Sequence, residues 1–278
     1  MFSKIIKFSL VSFPKFLSFL RLTREFLSRF QLPIDTQWGF SLIGNNNMAN
    51  GNFEKEETII IRDLLVDVEI FVNIGANIGY YCCHALNLNK KVIAIEPNQL
   101  NLFFLLKNIN NNKWGKQIEI FQIALGKENQ ILQMWGSGTG ASLIKGWAKI
   151  PENHFNLVPV LTLDRILGNT IDDKKVLILV DIEGAEFDML LGATNLLSKN
   201  KKIIWMIEVT STENQPEEIK VNPNYKKTFQ LFFNYGYNAY TADNHKHKIT
   251  STNIDKFIYD NSKTLEKTHN FIFIHEDV

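Results

Sequence analysis

A glycine turn and a handful of carboxylates carry what chemistry this sequence can do. Phe71-Val72-Asn73-Ile74-Gly75-Ala76-Asn77-Ile78-Gly79-Tyr80-Tyr81 reads as a buried strand, a glycine turn and the start of a helix. Such a turn aims backbone N–H groups and a helix N-terminus at a ligand beyond the carboxyl edge of a sheet. Gly75 and Gly79 would let ligand and backbone approach closely. Twenty-one residues after Gly75, Glu96 stands at the tip of the next strand, followed by Pro97 and Asn98. A doubly wound fold holds the ribose hydroxyls of an adenosine ligand there. A carboxylate in that place can also simply cap the following helix. The turn alone is a weak signal, and the two elements at this spacing together point to adenosine.

The ligand is not read as a dinucleotide. Asn77 occupies the second glycine of a G-x-G-x-x-G fingerprint and Tyr80 the third, so a pyrophosphate would lack its close backbone approach. A phosphate-free adenosine with a methionine tail fits better. Methyl transfer to an oxygen needs an acceptor held in line and a group that takes its proton. Asp181, Glu183, Glu186 and Glu208 are the carboxylates near the ends of later strands, although Glu183 and Glu186 also suit a helix N-terminus. His154 is a further candidate base, and His84 reads as structural. No metal-ligand spacing stands out.

The elements that must position these groups follow a β-α-β-α order. Apolar strands are predicted at 70–74, 91–95, 118–122, 175–180, 202–208, 236–241 and 270–275, and helices near 54–66, 78–88, 99–111, 185–198 and 224–234. This predicts an α/β, doubly wound, Rossmann-like fold with a mostly parallel seven-stranded sheet. Residues 44–52 read as a loop. Residues 124–165 read as an irregular insertion whose Trp135–Gly140 piece is not helical and forms a hairpin or mobile flap. The expected domains are a helical extension and loop over 1–50 and the adenosine-binding domain over 51–278.

The 278 residues suffice for one large domain, and a net charge of +1 excludes an overall electrostatic case for nucleic acid. Residues 1–30 nevertheless carry six basic side chains against Glu25. Lys7, Pro14 and Lys15 interrupt any signal-peptide or membrane-spanning run. The segment reads as a helical, Phe-rich extension packed on the domain, and it is compatible with peripheral contact with an anionic inner membrane surface. Cys82 and Cys83, the only cysteines, suggest a reducing, cytoplasmic setting and buried small hydrophobes.

Over about residues 55–275 the sequence resembles the FkbM-type family of class I S-adenosylmethionine-dependent methyltransferases. The resemblance lies in Asn73-Ile-Gly-Ala-Asn-Ile-Gly-Tyr-Tyr81, Ile95-Glu-Pro-Asn98, Ile123-Ala-Leu-Gly126, Val158-Pro-Val-Leu-Thr-Leu-Asp164 and, most specifically, Val180-Asp-Ile-Glu-Gly-Ala-Glu186 followed by Leu191-Gly192-Ala193. It implies S-adenosyl-L-methionine as cofactor. Gly75, Ala76, Asn77 and Gly79 would surround its methionine end, Glu96 its ribose and Ala124 its adenine, with Asp181 near the sulfonium methyl. The implied acceptor is a free hydroxyl on a sugar, glycan or secondary metabolite. Asn73 replaces the usual aspartate, and Leu179 stands where many relatives have lysine. Two rival readings are a nicotinamide-dependent oxidoreductase or epimerase, which needs the two missing glycines and a Tyr-x-x-x-Lys or equivalent dyad, of which no convincing case stands out, and a cofactor-binding protein that has lost turnover, for which Asn73 argues.

Overall fold

The structure is a computed structural model that describes residues 23, 27–243, 246–258 and 269–276. The expected helical extension and its membrane contact lie outside the described residues, apart from 23 and 27–30. The chain enters through β1 (Ile34–Asp35), β2 (Ser41–Leu42) and a single helical turn, α1 (Asn46–Ala49), within the stretch expected to be loop. Helix α2 (Lys55–Val66) leads to β3 (Ile70–Ile74), α3 (Tyr80–Asn87), β4 (Lys91–Ile95), α4 (Gln99–Asn111) and β5 (Ile118–Phe121). Then come β6 (Ala124–Leu125), β7 (Gln130–Trp135), β8 (Phe155–Leu161), α5 (Leu163–Leu167) and β9 (Val176–Val180). The remainder is α6 (Glu186–Leu191), α7 (Thr194–Lys199), β10 (Ile203–Glu208), α8 (Tyr225–Asn234), β11 (Tyr237–Thr241), β12 (Lys248–Ile249) and β13 (Asn270–His275).

The main sheet has the order β12-β11-β13-β10-β9-β3-β4-β5. Strands β10, β9, β3, β4 and β5 pair in parallel, while β13 runs against both its neighbours and β12 against β11. The expected seven-stranded, mostly parallel sheet is therefore corrected to a mixed sheet of eight. The difference arises where the chain returns from β11: a two-residue strand adds to the edge, and β13 inserts between β10 and β11. All seven expected strands are present, and the centre follows from composition. Ile70–Ile74 and Val176–Val180 are buried at every position, as strands covered on both faces must be. Ile70, Val72 and Ile74 pack toward α5–α8, and Phe71 packs toward α2–α4. Phe232 of α8 stacks on Phe273 of β13 at 3.9 Å between centroids.

Three further expectations change. Residues 124–165 contain an ordered three-stranded sheet, β6-β8-β7, with a 3₁₀ turn at Gly138–Gly140 inside the piece expected to be non-helical. The helix expected over 185–198 breaks into α6 and α7 at Gly192, where a Cβ would lie 2.2 Å from the Gly126 carbonyl oxygen. Residues before 50 share the core: Phe40, Leu42 and Met48 are buried with α2–α4, and the Asn108 side chain bonds both Ile43 N and its carbonyl. Among the described residues no helix is long and apolar enough to cross a membrane.

The chain builds outward from β3 to β4 and β5, then crosses back to β9 on the other side of β3. The two connections diverge there, which opens a crevice beyond the carboxyl ends of β3 and β9.

Candidate active site

The glycine turn after β3 forms one side of this crevice. Gly75 N and Ala76 N both donate to Ile95 O, at 2.9 and 3.0 Å, while Asp181 N donates to Ile74 O at 3.0 Å. The turn is thus fastened to both neighbouring strands. Gly75 has φ +82°, and a Cβ on it would sit 1.8 Å from the Asp181 carbonyl oxygen. Glycine is demanded here by the protein's own backbone before any ligand arrives. Gly79 has a similar cause, since a Cβ would sit 2.6 Å from Leu105 Cδ1 of α4.

Glu96, 4% exposed, takes hydrogen bonds from Asn77 N at 2.7 Å, Asn98 N at 2.8 Å and Asn101 Nδ2 at 3.3 Å. Burial raises its pKa, and the two backbone N–H groups and Asn101 oppose that rise. The side chain therefore ties the glycine turn to the start of α4. Asn98 itself caps α4 through Leu100 N and Asn101 N.

Beside Glu96 lies a cleft that encloses about 600 Å³ of empty space, open solvent included. Of the residues expected to contact the cofactor, Gly75, Asn77, Glu96, Pro97, Ala124 and Asp181 line it. Asn73, Ala76, Gly79 and Asn98 are not part of its wall. Asn77 Oδ1 is buried without a hydrogen-bond partner and belongs to this wall, an acceptor left for a ligand donor. The insertion supplies the opposite side through Met134, Thr139 and Leu143, which the sequence reading did not single out. It is anchored at two points. Asn101 Nδ2 donates to Gly138 O at 3.2 Å, and Trp147 Nε1 donates to Glu183 Oε2 at 2.6 Å. Trp147 also lies over Gly184, where a Cβ would meet its ring at 2.6 Å.

A second cavity, of about 350 Å³, shares Gly75 and Asp181 with the first. Asn73, Leu179, Asp181 and Glu208 line it together with Glu54, Glu57 and Tyr81. Val180 pairs with Ile207, so Asp181 and Glu208 stand side by side at the tips of β9 and β10. Asp181 is exposed by surface area, although many protein atoms surround its carboxyl. Burial first, and the adjacent Glu208 next, hold its pKa well above the usual carboxylate range. Burial and the field of Glu183, Glu186, Glu54 and Glu57 push Glu208 to about 7. Tyr81 Oη donates to Glu54 Oε2 at 2.7 Å. Nothing in local sequence marks Glu54 and Tyr81 as partners, 27 positions apart, beyond the acidic start of α2.

The remaining candidates fall elsewhere. Glu183 lines the first cavity, where it holds Trp147. Glu186 is buried and accepts from Gly184 N at 3.0 Å, which makes it a clamp on the turn before α6. His154 lines neither cavity; it lies at the base of the β7–β8 hairpin, where its carbonyl accepts from Gly136 N. His84 packs among Trp38, Phe40 and Tyr80, with Nδ1 2.9 Å from Arg62, and burial lowers its pKa to about 3. Cys82 and Cys83 are free and fully buried.

Residues 73–239 match the Methyltransferase FkbM domain. No curated protein matches the chain. Among solved structures, the methyltransferase FkbM from Methylobacillus flagellatus KT is similar over 75% of this chain, at 18% identity and a TM-score of 0.45. The match spans 44% of that protein's length. An O-methyltransferase from Bacillus cereus in complex with SAH matches over 81% of this chain and 80% of its own, at 11% identity and a TM-score of 0.41. The SAH-bound Podospora anserina methyltransferase PaMTH1 matches over 83% and 80%, at 9% identity and a TM-score of 0.40. Likenesses this distant add nothing to the domain match.

Proposed function

The chain belongs to the FkbM methyltransferase family, and we propose that it methylates a hydroxyl group of a sugar, glycan or secondary metabolite. S-adenosylmethionine is the cofactor. Bound, it supplies an electrophilic methyl group on a sulfonium, open to in-line displacement by an oxygen. The observation that carries the reading is the pair of neighbouring cavities that share Gly75 and Asp181, one lined by Glu96 and the other by Glu208.

The residues fit the cofactor. Glu96 has a carboxylate fixed in place by three donors, with one lone-pair site on Oε2 left for a ribose hydroxyl. Ala124 leaves space beside Met134 and Leu143 for the flat adenine ring. Asn77 Oδ1 and the carboxylate of Asp181 offer acceptors toward the cationic end. Asp181 and Glu208 would also take the acceptor's proton. A carboxyl whose pKa rises to about 7, as that of Glu208 does, is a better base than an exposed one while remaining partly ionised. The insertion, pinned at Gly138 and Trp147, would keep water from the reacting atoms.

Calorimetry with S-adenosylhomocysteine and with NAD tests the cofactor site, and methyl transfer from labelled S-adenosylmethionine to a panel of hydroxyl compounds tests the acceptor class. Methylation confined to nitrogen or carbon acceptors would overturn the oxygen assignment.

A further inference from the structure

The outer face of α4 and the neighbouring edge of the main sheet combine cations with exposed aliphatic side chains. Strand β5 ends the sheet on this side. Its Ile118 and Ile120 pack with α4, while alternation turns Glu119 to the opposite face. A shallow groove runs between helix and strand, lined by Leu106, Ile118 and Ile120 and by Lys113 and Lys116. The chain arriving from the N-terminus meets the same helix. Lys107 Nζ donates to Arg29 O at 2.8 Å, and Arg29 and Lys107 both lie over the Phe103 ring, 5.4 and 5.2 Å from its centroid.

Leu27, Phe30, Leu32 and Leu106 are 62%, 67%, 82% and 49% exposed around these cations. Apolar side chains gathered in this way mark a contact surface, whereas single ones scattered over a protein do not. No carboxylate of the described residues forms an ion pair with Arg29, Lys107, Lys113 or Lys116. The face is therefore both apolar and positively charged.

That charge selects the occupant. A second copy laid on this face by a two-fold axis would bring the same lysines together. Residues 1–22 would not neutralise it, since they carry Lys4, Lys7, Lys15 and Arg21 and no acidic residue. A nucleic acid matches the charge but not the leucines, which neither bond phosphate nor stack on bases. An anionic bilayer meets both demands, with headgroups for the cations and the acyl boundary for the leucines. Residues 1–22 extend the same chemistry, with five phenylalanines and four leucines among their four cations.

We infer that the α4–β5 edge face, with the N-terminal segment that leads onto it, docks on an anionic phospholipid surface. Arg29, Lys107, Lys113 and Lys116 meet the headgroups, and Leu27, Phe30, Leu32 and Leu106 enter the boundary beneath them.

The test is flotation of the full chain with vesicles of phosphatidylcholine alone and with roughly one-third phosphatidylglycerol. The chain is expected to bind the anionic vesicles at least about tenfold more tightly. Most of that preference should vanish when salt rises from about 0.1 to about 0.5 M. Lys113→Glu with Lys116→Glu should weaken binding to anionic vesicles at least about tenfold, and Leu27→Ser with Leu32→Ser at least about threefold. Both variants change exposed side chains, and circular dichroism with the S-adenosylhomocysteine isotherm checks that they fold. Absent binding, equal binding to the two vesicles, or a charge-reversed variant that binds like the parent overturns the inference. So does binding to duplex DNA as tight as that to the anionic vesicles at the same salt. A dimer in lipid-free solution that Leu106→Ser dissociates overturns it too, because a second copy then covers the face.

Discussion

Replacing Glu208 by glutamine is expected to stabilise the cofactor-free protein while slowing methyl transfer. Glu208 sits beside Asp181 in a cavity with two further carboxyls, and its pKa moves from the ordinary 4.5 to about 7. A carboxyl whose pKa rises on folding holds its proton more tightly in the native state. Its penalty is absent below about pH 4.5 and grows until the pH passes about 7. At 1.36 kcal/mol per pH unit this gap corresponds to about 3 kcal/mol, an upper bound because Asp181 and Glu208 share their protons. Glutamine keeps the shape and cannot ionise, so Glu208→Gln should gain about 1–3 kcal/mol near pH 8 and almost nothing near pH 5. Urea unfolding at both pH values measures the difference, with single-turnover transfer as the functional readout. The reasoning fails if the variant is no more stable than the parent at the higher pH, or if both lose stability equally between the two.

Four further outcomes follow from the same geometry. Glu96→Ala should weaken S-adenosylhomocysteine binding roughly tenfold or more and cost about 1–3 kcal/mol of stability, because Asn77 N and Asn98 N lose their acceptor; unchanged affinity by calorimetry would remove the ribose from this position. Asn73→Asp should tighten cofactor binding by about 1 kcal/mol with little effect on the chemical step, and weaker binding would mean that the position faces something other than the ammonium. Asp181→Asn should lower turnover far more than it lowers cofactor affinity; full turnover would transfer the base role to Glu208. Gly75→Ala forces a Cβ to within 1.8 Å of the Asp181 carbonyl at positive φ, so a soluble variant with an unchanged melting temperature would contradict the close packing of β3 on β9.

The sheet was legible because its strands are short, unbroken apolar runs with little choice of face. Ile70–Ile74, Lys91–Ile95 and Asn270–His275 fall where the pattern puts them. The glycine turn and Glu96 were legible for a different reason, since one crossover fixes their spacing. What local pattern hides is contact between distant segments. Glu54 meets Tyr81, and Glu183 meets Trp147, only after α2 and the insertion have folded onto the sheet. The insertion read as irregular because glycines crowd the connections between its strands, and apolar side chains such as Ile131 and Leu157 stand exposed on the strands themselves. Gly75, singled out for close approach to a ligand, must be glycine because of Asp181's carbonyl, a reason the sequence does not contain.

The hydrogen bond from Trp147 to Glu183 gives the cleft an optical reporter. The indole is 2% exposed, its N–H lies 2.6 Å from a carboxylate, and that carboxylate belongs to the cavity wall. Any ligand that displaces or neutralises Glu183 changes the electric field on the ring, and with it the colour and yield of its fluorescence. The other four tryptophans, Trp38, Trp114, Trp135 and Trp205, add a background that the difference between the parent and Trp147→Phe removes. Occupancy of the cleft can thus be followed in real time, in the unmodified protein, before any acceptor is known.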